Sequence, residues 1–166
     1  IQNREGVWIA DDNCPGQLVI TGEKTAVEEA SILLKEAGAR RVLPLKVSGP
    51  FHSPLLNTAG EKLAEVLAPC KLSGLKIPYI SNTLAEPVTD KTKIKDLLTR
   101  QISSPVRWRE SMEELIREGV GTFIEIGPGK TLSGFLKKID RNAVVYSIQT
   151  MEDLEKTVEL LKGRNL

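Results

Sequence analysis

A single histidine, His52, occurs in the 166 residues, within Gly49-Pro50-Phe51-His52-Ser53-Pro54-Leu55. An imidazole can accept and return a proton near neutral pH, so His52 is the first candidate for general acid–base chemistry. Gly49 and Pro50 constrain the backbone before it. Ser53 followed by Pro54 has the form of a helix N-cap with proline in the first turn. Such a frame holds a ring in one place, and a strand-to-helix loop between two subdomains is a common position for a ligand site. The same pattern would also suit a loop histidine without chemistry.

Other chemistries find less support. The two cysteines, Cys14 and Cys70, form no Cys-x-x-Cys and have no histidine at ligand spacing, so neither zinc nor any other metal is expected. One disulfide between them is possible on count alone, but no secretory signal is present, which favours reduced thiols in a cytoplasmic setting. Gly127-Pro128-Gly129-Lys130-Thr131 lacks the Gly-x-x-x-x-Gly-Lys-Ser/Thr spacing of a phosphate loop and is expected to be a glycine-enabled strand-to-helix turn. Formal net charge is +1, with 40% hydrophobic and 27% charged residues. That balance gives no electrostatic case for nucleic acid or a membrane surface, and the apolar runs are strand-length. No cofactor is implied. The first residue is Ile1 rather than methionine, which leads us to expect a piece of a longer protein.

The elements that would position His52 follow from periodicity and turn residues. Residues 7–10 and 17–21 predict two antiparallel strands across a loop at 11–16. Val27, Ala30, Leu33 and Leu34 place an apolar stripe on a helix over 25–37, stopped by Gly38. Residues 41–47 predict a strand, at an edge because of Pro44. A helix follows over 54–67, then a strand over 77–80. Asp90 opens a helix to 101, and Ser103 or Ser104 with Pro105 opens another to 118. A strand at 122–126, a helix at 131–139, a strand at 143–147 and a helix at 152–162 complete the chain. From residue 48 onward strands alternate with helices, the pattern of an α/β protein with a largely parallel sheet. Residues 1–47 read as part of a small α+β subdomain, and 48–166 as part of a large α/β subdomain.

Four segments, taken in order, resemble one family. Gly49 to Leu55 is similar to the histidine motif of malonyl-CoA:acyl-carrier-protein transacylases and the related acyltransferase domains of fatty-acid and polyketide synthases. Asn13-Cys14-Pro15-Gly16-Gln17 resembles the family's Asn-x-Pro-Gly-Gln hairpin. Residues 101–108, from Gln101 through Pro105-Val106 to Trp108, resemble its Gln-x-x-x-Pro-Val-x-Trp segment. Residues 125–132 resemble its Glu-x-Gly-Pro-Gly-Lys-x-Leu segment. The resemblance implies the C-terminal portion of the family fold: part of an α/β-hydrolase-like parallel-sheet domain plus an incomplete ferredoxin-like subdomain.

It also implies a reaction. A serine in a Gly-His-Ser-x-Gly elbow takes malonyl from malonyl-CoA, and the phosphopantetheine thiol of acyl carrier protein then takes it from the serine. The family's general base maps onto His52. Its orienting backbone carbonyl maps onto Gln101. An aromatic at Phe51 goes with malonyl over methylmalonyl, because the ring fills the space of an α-methyl, although the ring could simply pack under the loop. Asn13 and Gln17 are expected to face the pantetheine arm. The family usually carries asparagine where this chain has Asp11, so a substrate contact there is not expected. Lys130, Lys137, Lys138 and Arg141 form a basic face suited to an acidic acyl carrier protein, or else a solvated helix face. Nothing resembling the serine elbow occurs in these residues. The chain would therefore supply the base without the nucleophile. A non-catalytic carrier-protein-binding module, an acyltransferase domain of a polyketide synthase, and a small hydrolase using an internal serine are the alternatives.

Overall fold

The computed structural model describes residues 4–163. The chain is mixed α/β, and it divides into two compact units, 1–111 and 112–166.

In the first unit, β1 (Val7–Cys14) pairs antiparallel with β2 (Gln17–Gly22), and α1 (Lys24–Glu36) packs beside them. The strand continues through the expected loop, so only Pro15 and Gly16 form the turn. Two features keep 11–14 extended. Irregularities at Ile9/Asp11 and Asp12/Cys14 absorb the extra residues as bulges. On the other edge, Asp12 N–H donates to the Val106 carbonyl at 2.9 Å and Val106 N–H donates to Ala10 O at 2.8 Å.

That second contact also corrects a helix start. Val106 spends its backbone on β1, and Arg107 N–H donates to Asn82 O at 3.0 Å, so α4 begins at Trp108 (Trp108–Arg117) rather than near Pro105. Residues 41–47 form no ladder among the described residues. Their apolar side chains stand open, with Leu43 64%, Leu45 60% and Val47 64% exposed, because no strand lies alongside to pair with them.

After the histidine loop, a 3₁₀ turn (Pro54–Leu56) leads into α2 (Asn57–Leu67). Helix α2 packs on α3 (Ile94–Gln101) at close range: a Cβ on Gly60 would stand 3.2 Å from Thr99 O. Asp90 opens that region as expected, accepting from Thr92 N–H at 2.8 Å. Between these helices, β3 (Tyr79–Ile80) pairs with β4 (Pro87–Val88), and the pairing is antiparallel. Six residues connect the two strands, too few for the crossover that a parallel pair requires. Among the described residues, parallel pairing is found in one ladder, between Thr122–Ile126 and Val144–Ile148, and in an isolated bridge between Asp11 and Val106.

That ladder lies in the second unit. β5 (Thr122–Ile126) and β6 (Val144–Ile148) pair in parallel, joined through α5 (Thr131–Ile139), and α6 (Met151–Lys162) follows. Glu125 anchors the start of α5. It accepts from Leu132 N–H at 3.1 Å, from Ser133 N–H at 3.0 Å and from the Ser133 hydroxyl. Burial pushes its carboxyl up, but these hydrogen bonds prevail and hold it below the usual glutamate range. Helix α6 opens on a reciprocal capping box between Thr150 and Asp153. No helix among the described residues is long and apolar enough to cross a membrane.

Candidate active site

His52 sits on a loop whose conformation is locked from below. Ser53 is wholly buried, and its hydroxyl donates to the Pro50 carbonyl at 2.6 Å. Ser53 takes the expected N-cap position ahead of Pro54, but its hydroxyl turns back to staple the loop instead of meeting the next N–H groups. The staple helps fix His52 at φ +58°, in the left-handed region that side-chain-bearing residues seldom occupy. Backbone held there by its surroundings is a feature found at functional sites.

The ring is oriented from α3. Nδ1 lies 3.1 Å from the backbone carbonyl of Gln101, the last residue of that helix. A carbonyl can only accept, so the hydrogen bond requires the proton on Nδ1. Nε2 then carries the lone pair and is the atom able to take a proton from a reacting group. The Gln101 side chain plays a different part, its Oε1 accepting from Asn82 Nδ2 at 3.5 Å. The backbone of Gln101 therefore faces His52 while its side chain faces Asn82.

The remaining candidates are positioned separately. Phe51 adjoins His52 and is 49% exposed, so its ring is presented rather than packed away under the loop. Asn13 and Gln17 lie at the β1–β2 hairpin tip, positioned by the strands rather than by the histidine loop. Gln17 Oε1 accepts a long 3.9 Å contact from the buried Cys14 thiol. Lys130 and Arg141 are exposed, and Lys137 is partly committed: its ammonium donates to Ala143 O at 2.7 Å and Arg141 O at 3.2 Å, tying the end of α5 to the start of β6. Lys138 shares that helix end. Lys137 thus has a structural role that its charge alone did not disclose.

One residue near the site, Asp11, was singled out in the sequence without a role, and another, Asn82, was not singled out at all. Asp11 lies on β1 opposite Val106. Burial pushes its carboxyl above the usual aspartate range, and the charge of His52 pulls in the opposite direction. Its departure from the expected asparagine was the available signal. Asn82 had no signal, since its role depends on where the β3–β4 turn meets α3. Nearby, Asp12 and Arg109 form an ion pair at 2.7 Å that ties the hairpin to α4.

The malonyl CoA-acyl carrier protein transacylase of Bacillus subtilis (strain 168) is 50% identical over 159 residues, which is 96% of this chain and 50% of that protein. Among solved structures, MCAT from Streptococcus pneumoniae matches with a TM-score of 0.89 at 47% identity, over 94% of this chain and 51% of that one. A malonyl-transacylase solved in complex with a type II PKS acyl-carrier protein matches at TM-score 0.89 and 38% identity, over 93% of this chain and 50% of that one. The chain thus spans about half the length of these relatives. The family described as the acyl transferase domain matches residues 1–155, a stretch that takes in all four motifs and the histidine loop, and the chain belongs to that family.

Proposed function

We propose that this chain supplies the general base for malonyl transfer from malonyl-CoA to the phosphopantetheine thiol of acyl carrier protein, in fatty acid biosynthesis. The observation that carries this is the His52 Nδ1–Gln101 carbonyl contact of 3.1 Å, which leaves Nε2 ready to accept a proton. In the first half-reaction Nε2 takes the hydroxyl proton of a serine as it attacks the malonyl thioester, and the proton leaves on coenzyme A. In the second, Nε2 takes the proton of the carrier thiol as the thiolate attacks the acyl-serine, and returns it to the departing serine oxygen, which restores both the hydroxyl and the neutral ring. Phe51 limits room beside the acyl group and so favours malonyl. Asn13 and Gln17 hydrogen-bond the pantetheine arm, and Lys130, Lys137, Lys138 and Arg141 meet the acidic carrier protein.

On the same proposal the serine belongs to sequence outside this chain, in a cytoplasmic enzyme. Residues 1–47 are then part of a ferredoxin-like subdomain, and 48–166 the C-terminal part of an α/β-hydrolase-like one. The exposed apolar side chains of Leu43, Leu45 and Val47 support this, since they offer a surface on which such further sequence could pack.

The test is acyl labelling. The chain alone, incubated with labelled malonyl-CoA, is expected to acquire no covalent label. A longer form that includes a Gly-His-Ser-x-Gly segment is expected to acquire one serine-bound label that acyl carrier protein discharges. Labelling at a serine within these residues would overturn the proposal and favour an internal nucleophile.

A further inference from the structure

The β1–β2 hairpin and His52 are held by one stretch of chain, residues 101–109. The Gln101 carbonyl meets His52 Nδ1 at 3.1 Å, and the Val106 backbone bonds Ala10 O at 2.8 Å and Asp12 N–H at 2.9 Å. Arg109, in the first turn of α4, adds a side-chain link. Its Nε and Nη2 donate to Asp12 Oδ2 at 3.0 and 2.7 Å, so both contacts fall on one oxygen. Asp12 flanks a bulge. In the β1–β2 register Asp12 faces Leu18 and Cys14 faces Gln17, which leaves Asn13 as the extra residue, skipped by the ladder. A bulge re-aims the side chain it carries, and the direction depends on how its two flanks are held. Cys14 is held by burial, being 1% exposed. Asp12 is held by the Val106 carbonyl and by Arg109.

We infer that Arg109 is a positioning residue for the hairpin: through its ion pair with Asp12 it holds the Asn13 bulge and Gln17 in the direction that meets the pantetheine arm. This rests on the malonyl-transfer reading, in which those two side chains hydrogen-bond the arm. The arm carries the thioester sulfur, so a hairpin that tilts misplaces the reacting carbon and leaves the imidazole and its Gln101 carbonyl untouched. The effect is therefore on how the arm is bound, not on proton transfer. Its size is bounded by the setting of the pair. Arg109 is 40% exposed and Asp12 18% exposed, and water weakens an ion pair open to it. The backbone link through Val106 also survives any change at Arg109. Loss of the guanidinium loosens the hairpin without detaching it.

The test compares two malonyl donors in the longer form that joins this chain to a Gly-His-Ser-x-Gly segment. Malonyl-pantetheine carries the whole arm. Malonyl-N-acetylcysteamine keeps the thioester and the nearest amide and lacks the rest. Arg109→Ala is expected to lower the ratio of kcat/KM for the long donor over the short one by about two- to five-fold, with the change in KM rather than kcat. Arg109→Lys is expected to restore the ratio, since one ammonium can serve the single Oδ2. Asp12→Ala should reproduce the change, and the double variant should add little to either. Hydrogen exchange at residues 11–18, read in the same proteins, is expected to rise in Arg109→Ala. Equal losses with both donors would overturn the inference, because a general weakening of the fold spares neither, and so would unchanged exchange in the hairpin. An unsubstituted form that transfers malonyl from neither donor would refute the malonyl-transfer reading and this inference with it, a failure seen before any variant is compared.

Discussion

Replacing Gln101 tests whether its backbone or its side chain serves the reaction. The structure assigns the two halves to different partners: the carbonyl faces His52 Nδ1 at 3.1 Å, and Oε1 faces Asn82 Nδ2 at 3.5 Å. Gln101→Ala keeps the first contact and deletes the second. A neutral hydrogen bond contributes about 1 kcal/mol net, and 3.5 Å is at the long limit, so about 1 kcal/mol is the ceiling on the loss. That converts to a fall in kcat/KM of at most about five-fold. On the proposed function His52→Ala removes the base itself, and the expected loss is about 10²–10⁴-fold. The assay is malonyl transfer from malonyl-CoA to acyl carrier protein, using the longer form of the proposal that joins this chain to a Gly-His-Ser-x-Gly segment. Asn82→Ala breaks the same side-chain contact, so the Asn82→Ala/Gln101→Ala pair is expected to lose little more than either alone. A loss of 10²-fold or more on Gln101→Ala would refute the reasoning, because it would require the side chain where the structure supplies the carbonyl.

Three further expectations concern specificity and stability. Phe51→Ser opens space beside the acyl group and should raise methylmalonyl turnover relative to malonyl; an unchanged ratio of the two kcat/KM values would show that the ring does not bound the pocket. Burial raises the Asp11 carboxyl above its ordinary value of 3.8, so its stabilising effect is fully present below about 3.8 and is lost as pH rises through the folded-state value. Asp11→Asn should accordingly raise the thermal midpoint at pH 7, with the gap closing towards pH 3, and a gap that grows on acidification would contradict the sign. At Gly22 an added Cβ would stand 2.0 Å from Gly6 O with φ at +150°, so Gly22→Ala should destabilise by at least about 2 kcal/mol in urea unfolding, whereas Gly16→Ala meets no atom within 4 Å and should lose only the left-handed backbone preference.

Elements held by local contacts were the most legible. The strand at Thr122–Ile126 and the helix at Thr131–Ile139 fall where periodicity and the Gly-Pro-Gly turn put them, because alternation, helical spacing and glycine conformation act over a few residues. Longer-range pairing was not legible. Pro105 had the form of a helix start, yet Val106 was claimed by β1, nearly a hundred residues earlier in the chain. Ser53 had the form of a cap, yet its hydroxyl found the Pro50 carbonyl because burial left that oxygen no water to bond. The strand expected over 41–47 had the right residue types and no neighbour to pair with.

The sequence by itself determined the chemistry available: one imidazole, no metal-ligand spacing, a rigid loop around His52, and a set of motifs that identifies the family. Only the tertiary structure decided what surrounds that imidazole. The Gln101 carbonyl lies 49 residues from His52, a backbone group that every residue type possesses, so no side-chain pattern could mark it without a family to compare. The φ of +58° at His52 and the turning of Asn82 towards Gln101 likewise arise where separate segments meet. Residue type sets what a group can do, and the packing of distant segments sets its partners, its orientation and its charge.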